Sequence, residues 1–255
     1  MKSFPDPDFH GSPPLPKEEG RRLLEPLLER LEDLQERLYA ENRRSLLVVL
    51  QGMDTSGKGG TIKRVGGAFY PAGFRVASFK VPTEPELAHD FLWRIHRETP
   101  RAGEVVFFDR SHYEDVLVVR VDKLVAPKIW RARYDQINAF EKHLAENGTV
   151  IRKFFLHISS REQRERLQAR VEDPRKRWKF SPEDIAKRRQ WPDYMRAYRD
   201  AIARCHTARA PWIVVPANHK WYRDLIVARE LVAALEKVDP RYPPPAFDPR
   251  SVRIP

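Results

Sequence analysis

The sequence predicts a three-layer α/β sandwich built on a central parallel sheet of about five strands, and two observations carry that reading. Short, continuously apolar runs alternate with longer segments of helical period, and such runs suit strands buried on both faces. A glycine-rich segment, Gly52-Met53-Asp54-Thr55-Ser56-Gly57-Lys58, stands between the first apolar run and a helical stretch. Strand, glycine loop, helix is the order in which the pattern G-x-x-x-x-G-K binds phosphate. At 255 residues the chain is long enough for one such unit, and residues 1–255 are read as a single domain.

The elements follow in order. Residues 1–16 and 240–255 hold half of the 22 prolines and read as extended arms that pack on the domain or on a neighbouring subunit. Residues 17–41 are a covering helix with Leu24, Leu27, Leu28, Leu31, Leu34 and Leu38 on one stripe. Pro26 is placed in the first turn of the stretch that runs to about Glu41. Residues 45–50 form the first strand, and 61–65 continue as helix after the glycine loop. Residues 74–79 are the second strand and 84–98 a helix, with Pro82 and Pro85 marking the turn between them. The third strand, 104–108, delivers Asp109 at its carboxyl end. A helix over 127–147, a strand over 150–157, a helix over 161–171, a basic loop, a helix over 182–206, a strand over 212–215 and a helix over 219–237 complete the chain. Ligands of open parallel sheets bind beyond the carboxyl ends of the strands, where the glycine loop and Asp109 both fall.

The loop implies backbone N–H groups of Met53, Thr55, Ser56 and Gly57 around phosphate oxygens, with Lys58 adding a point charge and the next helix presenting its positive end. The alternative is a glycine turn that only closes the connection. Gly59 stands where the pattern expects a magnesium-binding Ser or Thr. A hard cation takes a carboxylate as readily as a hydroxyl, which makes Asp54 the nearest ligand, with Thr55 and Ser56 behind it. Thr61 lies about 200° round the helix from Gly59 and points away. The apolar strand Phe107-Phe108 ends in Asp109-Arg110, where a phosphate-loop enzyme keeps its second metal-holding group. Asp54 and Asp109 would flank one magnesium, unless Asp109 caps the next helix. Arg110 either grips a transferring phosphoryl group or pairs with Asp54 or Glu114.

Forty-seven basic against 36 acidic residues leave a formal charge of +11, which calls for an anionic partner: nucleic acid, a membrane surface or a polyanionic substrate. Between Arg161 and Arg189 there are eleven Lys or Arg and six Asp or Glu. Arg166 and Arg170 share a helix face there. Such a segment either closes over phosphates as a lid and supplies an arginine to the transition state, or is a solvated basic helix pair. Lys80, Thr83, Glu84, Asp90 and Arg94, after the second strand, face the glycine loop and hold the acceptor. No run approaches a membrane span and no apolar leader opens the chain, so a cytoplasmic location is expected. The single Cys205 is a packing residue, no Cys/His cluster suggests zinc, and His89, His96, His112 and His157 are surface or packing residues.

Gly52 to Thr61, Phe108-Asp109-Arg110-Ser111-His112-Tyr113-Glu114-Asp115, Trp178-Lys179-Phe180-Ser181 and Pro216-Ala217-Asn218-His219-Lys220-Trp221-Tyr222-Arg223 together resemble the family-2 polyphosphate kinases over about residues 20 to 240. The resemblance implies a P-loop kinase fold of the thymidylate-kinase-like kind with a helical lid at 161–190. It also implies magnesium-dependent transfer, with manganese as the alternative ion, of a terminal phosphoryl group from inorganic polyphosphate to AMP, ADP or both. By position Asp54, Lys58, Asp109 and Arg110 match the family's catalytic residues, and residues 166–184, with Arg170, its lid. Tyr113-Glu114-Asp115 stands where other branches carry Tyr-Asn-Arg and looks like the branch that uses both nucleotides. An acidic residue found about ten positions after Asp109 in some members is absent, Val118 and Val119 standing there, and Glu114 is the candidate to replace it. Lys63, Arg64 and Arg120, with Arg166, Lys176, Arg177 and Lys179 of the lid, are the expected polyphosphate ligands. The nucleotide, adenine or alternatively guanine, would meet the loop with its phosphates. A homodimer or homotetramer is expected, with no membrane and no specific nucleic acid as partner.

Two other readings compete: an ATP-dependent nucleoside monophosphate kinase, which shares the fold and the loop, and a basic nucleic-acid-binding protein with a vestigial loop. The second lacks an aromatic RNA-binding motif or a reading helix.

Overall fold

The computed structural model describes residues 4–254; residues 1–3 of the N-terminal arm and Pro255 of the C-terminal one lie outside it. Five parallel strands, β1 (Ser45–Gln51), β2 (Phe74–Ser78), β3 (Val105–Asp109), β4 (Thr149–His157) and β5 (Trp212–Pro216), form one sheet in the order β2-β3-β1-β4-β5. With β1 central, Leu50 lies level with Asp109 on one side and Phe154 on the other. The loop after β1 and the end of β3 are therefore neighbours, although far apart in sequence.

Side-chain alternation divides the strands between two cores. Leu46, Val48, Leu50, Phe107, Phe154 and Leu156 face α1 (Lys17–Glu41) and α10 (Lys220–Val238). Leu47, Val49, Val106, Phe108, Ile151 and Phe155 face α6 (Pro127–Glu146) and α9 (Trp191–Cys205). Both faces being covered, every position of β1 is buried, which is why these strands read as unbroken apolar runs. The shorter helices are α2 (Lys58–Arg64), α3 (Glu84–Leu87), α4 (Trp93–His96), α5 (Val118–Val121), α7 (Ser160–Glu172) and α8 (Pro182–Arg189).

Three helix expectations are corrected. The stretch 84–98 is two short helices, because Thr83 and Glu86 cap the first and the Asp90 carboxylate takes the Leu92 N–H, side chains competing with the helical ladder. The stretch 182–206 breaks at Gln190, where Pro192 brings no N–H and α9 starts anew. Pro26 is interior to α1, which begins at Lys17. It is exposed, and so is Arg22, whose carbonyl loses its partner and is left to water. Helix α5 was not expected.

Of the arms, the N-terminal one packs on the body: the Phe4 ring sits 5.0 Å from Phe155, and Phe9 meets Tyr222 edge-on at 4.8 Å. Residues 241–254 are exposed, with Arg37 over the Tyr242 ring. Cys205 is a buried packing residue, as expected. Among the described residues no helix is long and apolar enough to cross a membrane.

Candidate active site

The phosphate loop joins β1 to α2 through a path only glycine allows at its end. Gly57 has φ +106°, and a Cβ there would lie 1.9 Å from Nη1 of Arg223. That arginine is buried beneath the loop and paired with Asp224 at 2.8 Å, which also accepts from Thr61 Oγ1 at 3.3 Å. Thr61 thus points away from the loop's ligand side, as its helical angle predicts. A Cβ at Gly60 would come within 3.0 Å of Arg223, whereas one at Gly59 would meet nothing within 4 Å. Gly60 answers to Arg223; Gly59 leaves open space where a hydroxyl was expected.

Lys58 is nearly dry and donates to the Gly52 carbonyl at 3.0 Å. Burial holds its ammonium below the ordinary lysine range, Arg110 adds to the effect, and Asp109 and Asp54 oppose it. Asp54 accepts from Arg110 Nη2 at 3.0 Å. Burial works to raise the Asp54 carboxyl, but Lys58 and Arg110 outweigh it, with Lys187 and Arg170 adding, and hold it below the usual carboxylate range. It is ionised at neutral pH. Burial pulls the Arg110 guanidinium down, yet Glu114 and Asp54 lift it further. Arg110 also sits at φ +66°, a costly conformation for a residue with a Cβ and one that concentrates at functional sites.

Asp54 and Asp109 open into one cleft of about 630 Å³. It is lined by Thr55, Gly57, Lys58, Gly59, Gly60 and Lys63 of the loop and α2, by Ser78, Phe79, Lys80, Asp109 and Arg110 beyond the ends of β2 and β3, and by Arg170, Trp178, Lys179 and Asp184 of the basic segment 161–190. Trp178 is 78% exposed, with the Lys179 ammonium 4.9 Å from its ring centre. A second, much tighter cavity of about 20 Å³, room for little more than a water, shares Asp54 and Arg110 and adds Met53, Glu114, Lys187, Tyr194 and Tyr198. Of the two adjacent acids, Glu114 faces this cavity, while Asp115 turns back to Arg133 at 2.9 Å. Burial raises Asp115 to about 6 despite Arg133 and Arg94.

The sequence expectations divide accordingly. Asp54, Thr55, Gly57, Lys58, Gly59, Lys63, Lys80, Asp109, Arg110, Arg170 and Lys179 come together in the cleft, and Met53 and Glu114 line its neighbour. Ser56 is fully buried, its Oγ without a partner among the described residues. Thr83, Glu84 and Asp90 are exposed helix-capping and first-turn residues outside the cleft. Arg94 is buried and donates to the Lys80 carbonyl at 3.0 Å, a brace behind that wall. Arg64 leaves for Glu25 of α1. Arg120 is bound to Asp200 at 2.6 Å and stacked on Trp130, on the α9 side. Lys176 pairs with Asp173, and Arg177 ties back to the Val171 and Glu172 carbonyls. Arg166 is enclosed among main-chain carbonyls. Each of these last five already has a partner within the protein, a carboxylate or a main-chain carbonyl. His89 and His96 are exposed, His112 is buried, and His157 packs on Phe155.

Sequence reasoning missed Arg223 and Asp224 under the loop, Lys187, Tyr194 and Tyr198 in the small cavity, and Gln163, whose side chain donates to the Asp54 carbonyl at 3.2 Å. A signal existed for Gln163, which shares a helix face with Arg166 and Arg170, and for Arg223, which ends the last of the four motifs. The others come from helices whose placement is tertiary.

Comparison with known proteins agrees with this geometry. The family model described as polyphosphate kinase 2 matches residues 14–243. An AMP/ADP-polyphosphate phosphotransferase of Meiothermus ruber is 53% identical over 249 residues, which make up 96% of this chain and 91% of that protein. An ADP-polyphosphate phosphotransferase of Rhodopseudomonas palustris is 43% identical over 239 residues, 89% of this chain and 83% of that one. Among solved structures, polyphosphate kinase 2 from Arthrobacter aurescens TC1 superposes with a TM-score of 0.93 at 45% identity, covering 97% of this chain and 89% of that one.

Proposed function

The chain belongs to the polyphosphate kinase 2 family, and on that premise we propose that it transfers the terminal phosphoryl group of inorganic polyphosphate to AMP and to ADP. The observation that carries the reading is the convergence of the phosphate loop, Asp54, Asp109, Arg110 and Arg170 on one cleft covered by a basic lid. The attacking oxygen is a phosphate oxygen of the nucleotide, already anionic at neutral pH. A P–O bond forms to it while the bond to the bridging oxygen of polyphosphate breaks, and the shortened chain leaves with that oxygen's charge. No strong base is needed, and catalysis is positioning and charge compensation.

The loop N–H groups and Lys58 bind phosphate oxygens. Arg110, held by Asp54, and Arg170 both line the cleft that would take the transferring group. Lys63, Lys80 and Lys179 line the path of the remaining anion. Asp54 and Asp109 fit a magnesium ion, or manganese in its place: two carboxylates open into a phosphate site, and such ions take one or two carboxylates with phosphate oxygens and water. Bound there, the ion would neutralise charge on the phosphates. Glu114 in place of an amide supports use of both nucleotides by resemblance. A homodimer or homotetramer is the expected assembly, measurable by light scattering.

The test is a donor assay with AMP and ADP offered separately. Formation of ADP from AMP and of ATP from ADP, dependent on polyphosphate and magnesium, is expected. Consumption of ATP with a nucleoside monophosphate and no use of polyphosphate would establish the competing kinase reading instead.

A further inference from the structure

We propose that Arg166 is a positioning residue for the transfer: it holds the carbonyls of the phosphate loop turned outward and so keeps the loop's N–H groups aimed at bound phosphate. The inference rests on the reading of this loop as the substrate cradle. A guanidinium has five N–H donors, and Arg166 has all five engaged. Nε donates to Glu162 at 2.6 Å, Nη1 to the carbonyls of Thr55 at 2.9 Å and Ser56 at 3.3 Å, and Nη2 to those of Ala217 at 2.9 Å and Asn218 at 2.8 Å. Its side chain is 11% exposed. No donor remains for a phosphate, so a role as polyphosphate ligand does not fit its surroundings.

What the clamp does follows from peptide geometry. Gln163, on the same face of α7, donates to the Asp54 carbonyl, so α7 engages three consecutive loop carbonyls, those of residues 54, 55 and 56. In a trans peptide the N–H points opposite to the C=O. Holding these carbonyls outward turns the N–H groups of Thr55, Ser56 and Gly57 the other way. Ser56 N–H is used by Met53 within the loop, and those of Thr55 and Gly57 have no partner among the described residues. Thr55 sits at φ +67°, a strained conformation for a β-branched residue. Released from Arg166, the loop could relax by rotating a peptide, which would turn a carbonyl dipole toward an anion. One helical turn further on, Arg170 reaches into the cleft, so the same clamp sets its height over the loop.

The test compares Arg166→Lys and Arg166→Met with wild type in kcat and KM for both substrates, over a series of salt concentrations, alongside the thermal midpoint. A lysine keeps the charge but cannot fork to four carbonyls. Both variants are expected to lose about ten- to a hundredfold in kcat/KM per folded molecule, the range for hydrogen bonds from a charged group. The salt dependence of KM for polyphosphate should match wild type. Near wild-type kcat/KM in Arg166→Lys would overturn the proposal. So would a salt slope reduced by about one, the sign of a lost phosphate contact, or a lowered midpoint with unchanged activity of the folded fraction. Should Arg166→Met fail to fold, Arg166→Lys and Gln163→Met decide. Gln163→Met is expected to lose several-fold in kcat/KM without loss of charge, and an unchanged value there counts against the carbonyl-orienting role. Loss of activity in the variants beside an active wild type concerns this clamp, whereas an inactive wild type would concern the function itself.

Discussion

Lys58 carries its charge almost out of contact with water and has one hydrogen-bond partner among the described residues, the Gly52 carbonyl. An ammonium has three donors, so two remain for phosphate oxygens. Around it charges alternate: Asp54 and Asp109 against Lys58, Arg110 and Arg170. Such a cluster resists removal of any one sign, because a buried charge left uncompensated is costly. Asp54→Asn and Asp109→Asn are each expected to lower kcat by about a hundredfold or more, the scale seen when one group stabilising transition-state charge is removed, and to raise the magnesium concentration needed for half-maximal rate. Kinetics across a magnesium titration check this; a wild-type titration curve in either variant rules out the metal assignment. Both aspartates were legible in the sequence, Asp54 from its place in the glycine loop and Asp109 from its place at the end of an apolar strand run. The deployment of Arg64 and Arg120 was not, because Glu25 and Asp200 lie far from them in the chain and only folding brings them close.

At the level of elements, the turn after β3 is held from behind by a buried polar network that sequence patterns did not signal. The Lys153 ammonium, on β4, donates to Glu141 of α6 at 2.5 Å, to the Tyr113 hydroxyl at 2.8 Å and to the Cys205 carbonyl at 2.7 Å. Glu141 also accepts from Tyr113 at 2.8 Å and from His112 Nε2 at 3.1 Å. Burial keeps His112 neutral by lowering it below the ordinary histidine range, against the pull of Glu141. Gln51 reaches Ser111 at 3.2 Å, and Ser111 accepts the Tyr113 N–H. Four elements therefore converge just behind Asp109 and Arg110. Lys153→Met is expected to destabilise by about 3–5 kcal/mol, since it strands Glu141 without its counter-charge. Adding Glu141→Gln should recover part of that loss, the amide oxygen still accepting from Tyr113. Urea denaturation at neutral pH measures both, and a double variant no more stable than Lys153→Met would contradict the ion-pair account.

For the molecule as a whole, the charge of +11 is distributed selectively. Lys63, Lys80, Arg110, Arg170 and Lys179 line the cleft, while many other cations are paired on the surface. The KM for polyphosphate should rise linearly with salt on logarithmic axes, by displacement of counterions. Lys63→Ala and Lys179→Ala should each reduce that slope by about one, whereas Arg64→Ala and Arg120→Ala should leave it unchanged. Equal slopes for all four variants would refute this division between cleft and surface cations.

The sequence by itself determined the layered α/β plan, the positions of all five strands, the phosphate loop with its Asp54, the strand-end Asp109 and the family resemblance. These features are local: apolar runs, glycines and loop residues act through neighbours in the chain. Only the tertiary structure decided which cations remain free to meet an anion. It alone made Arg223 the reason for Gly57 and Gly60, left Gly59 facing open space, and engaged all five donors of Arg166 with acceptors of its own chain. The physical reason is that an arginine's role depends on which acceptors surround it. Here those acceptors come from α7, α10 and the turn after β5 as much as from the loop.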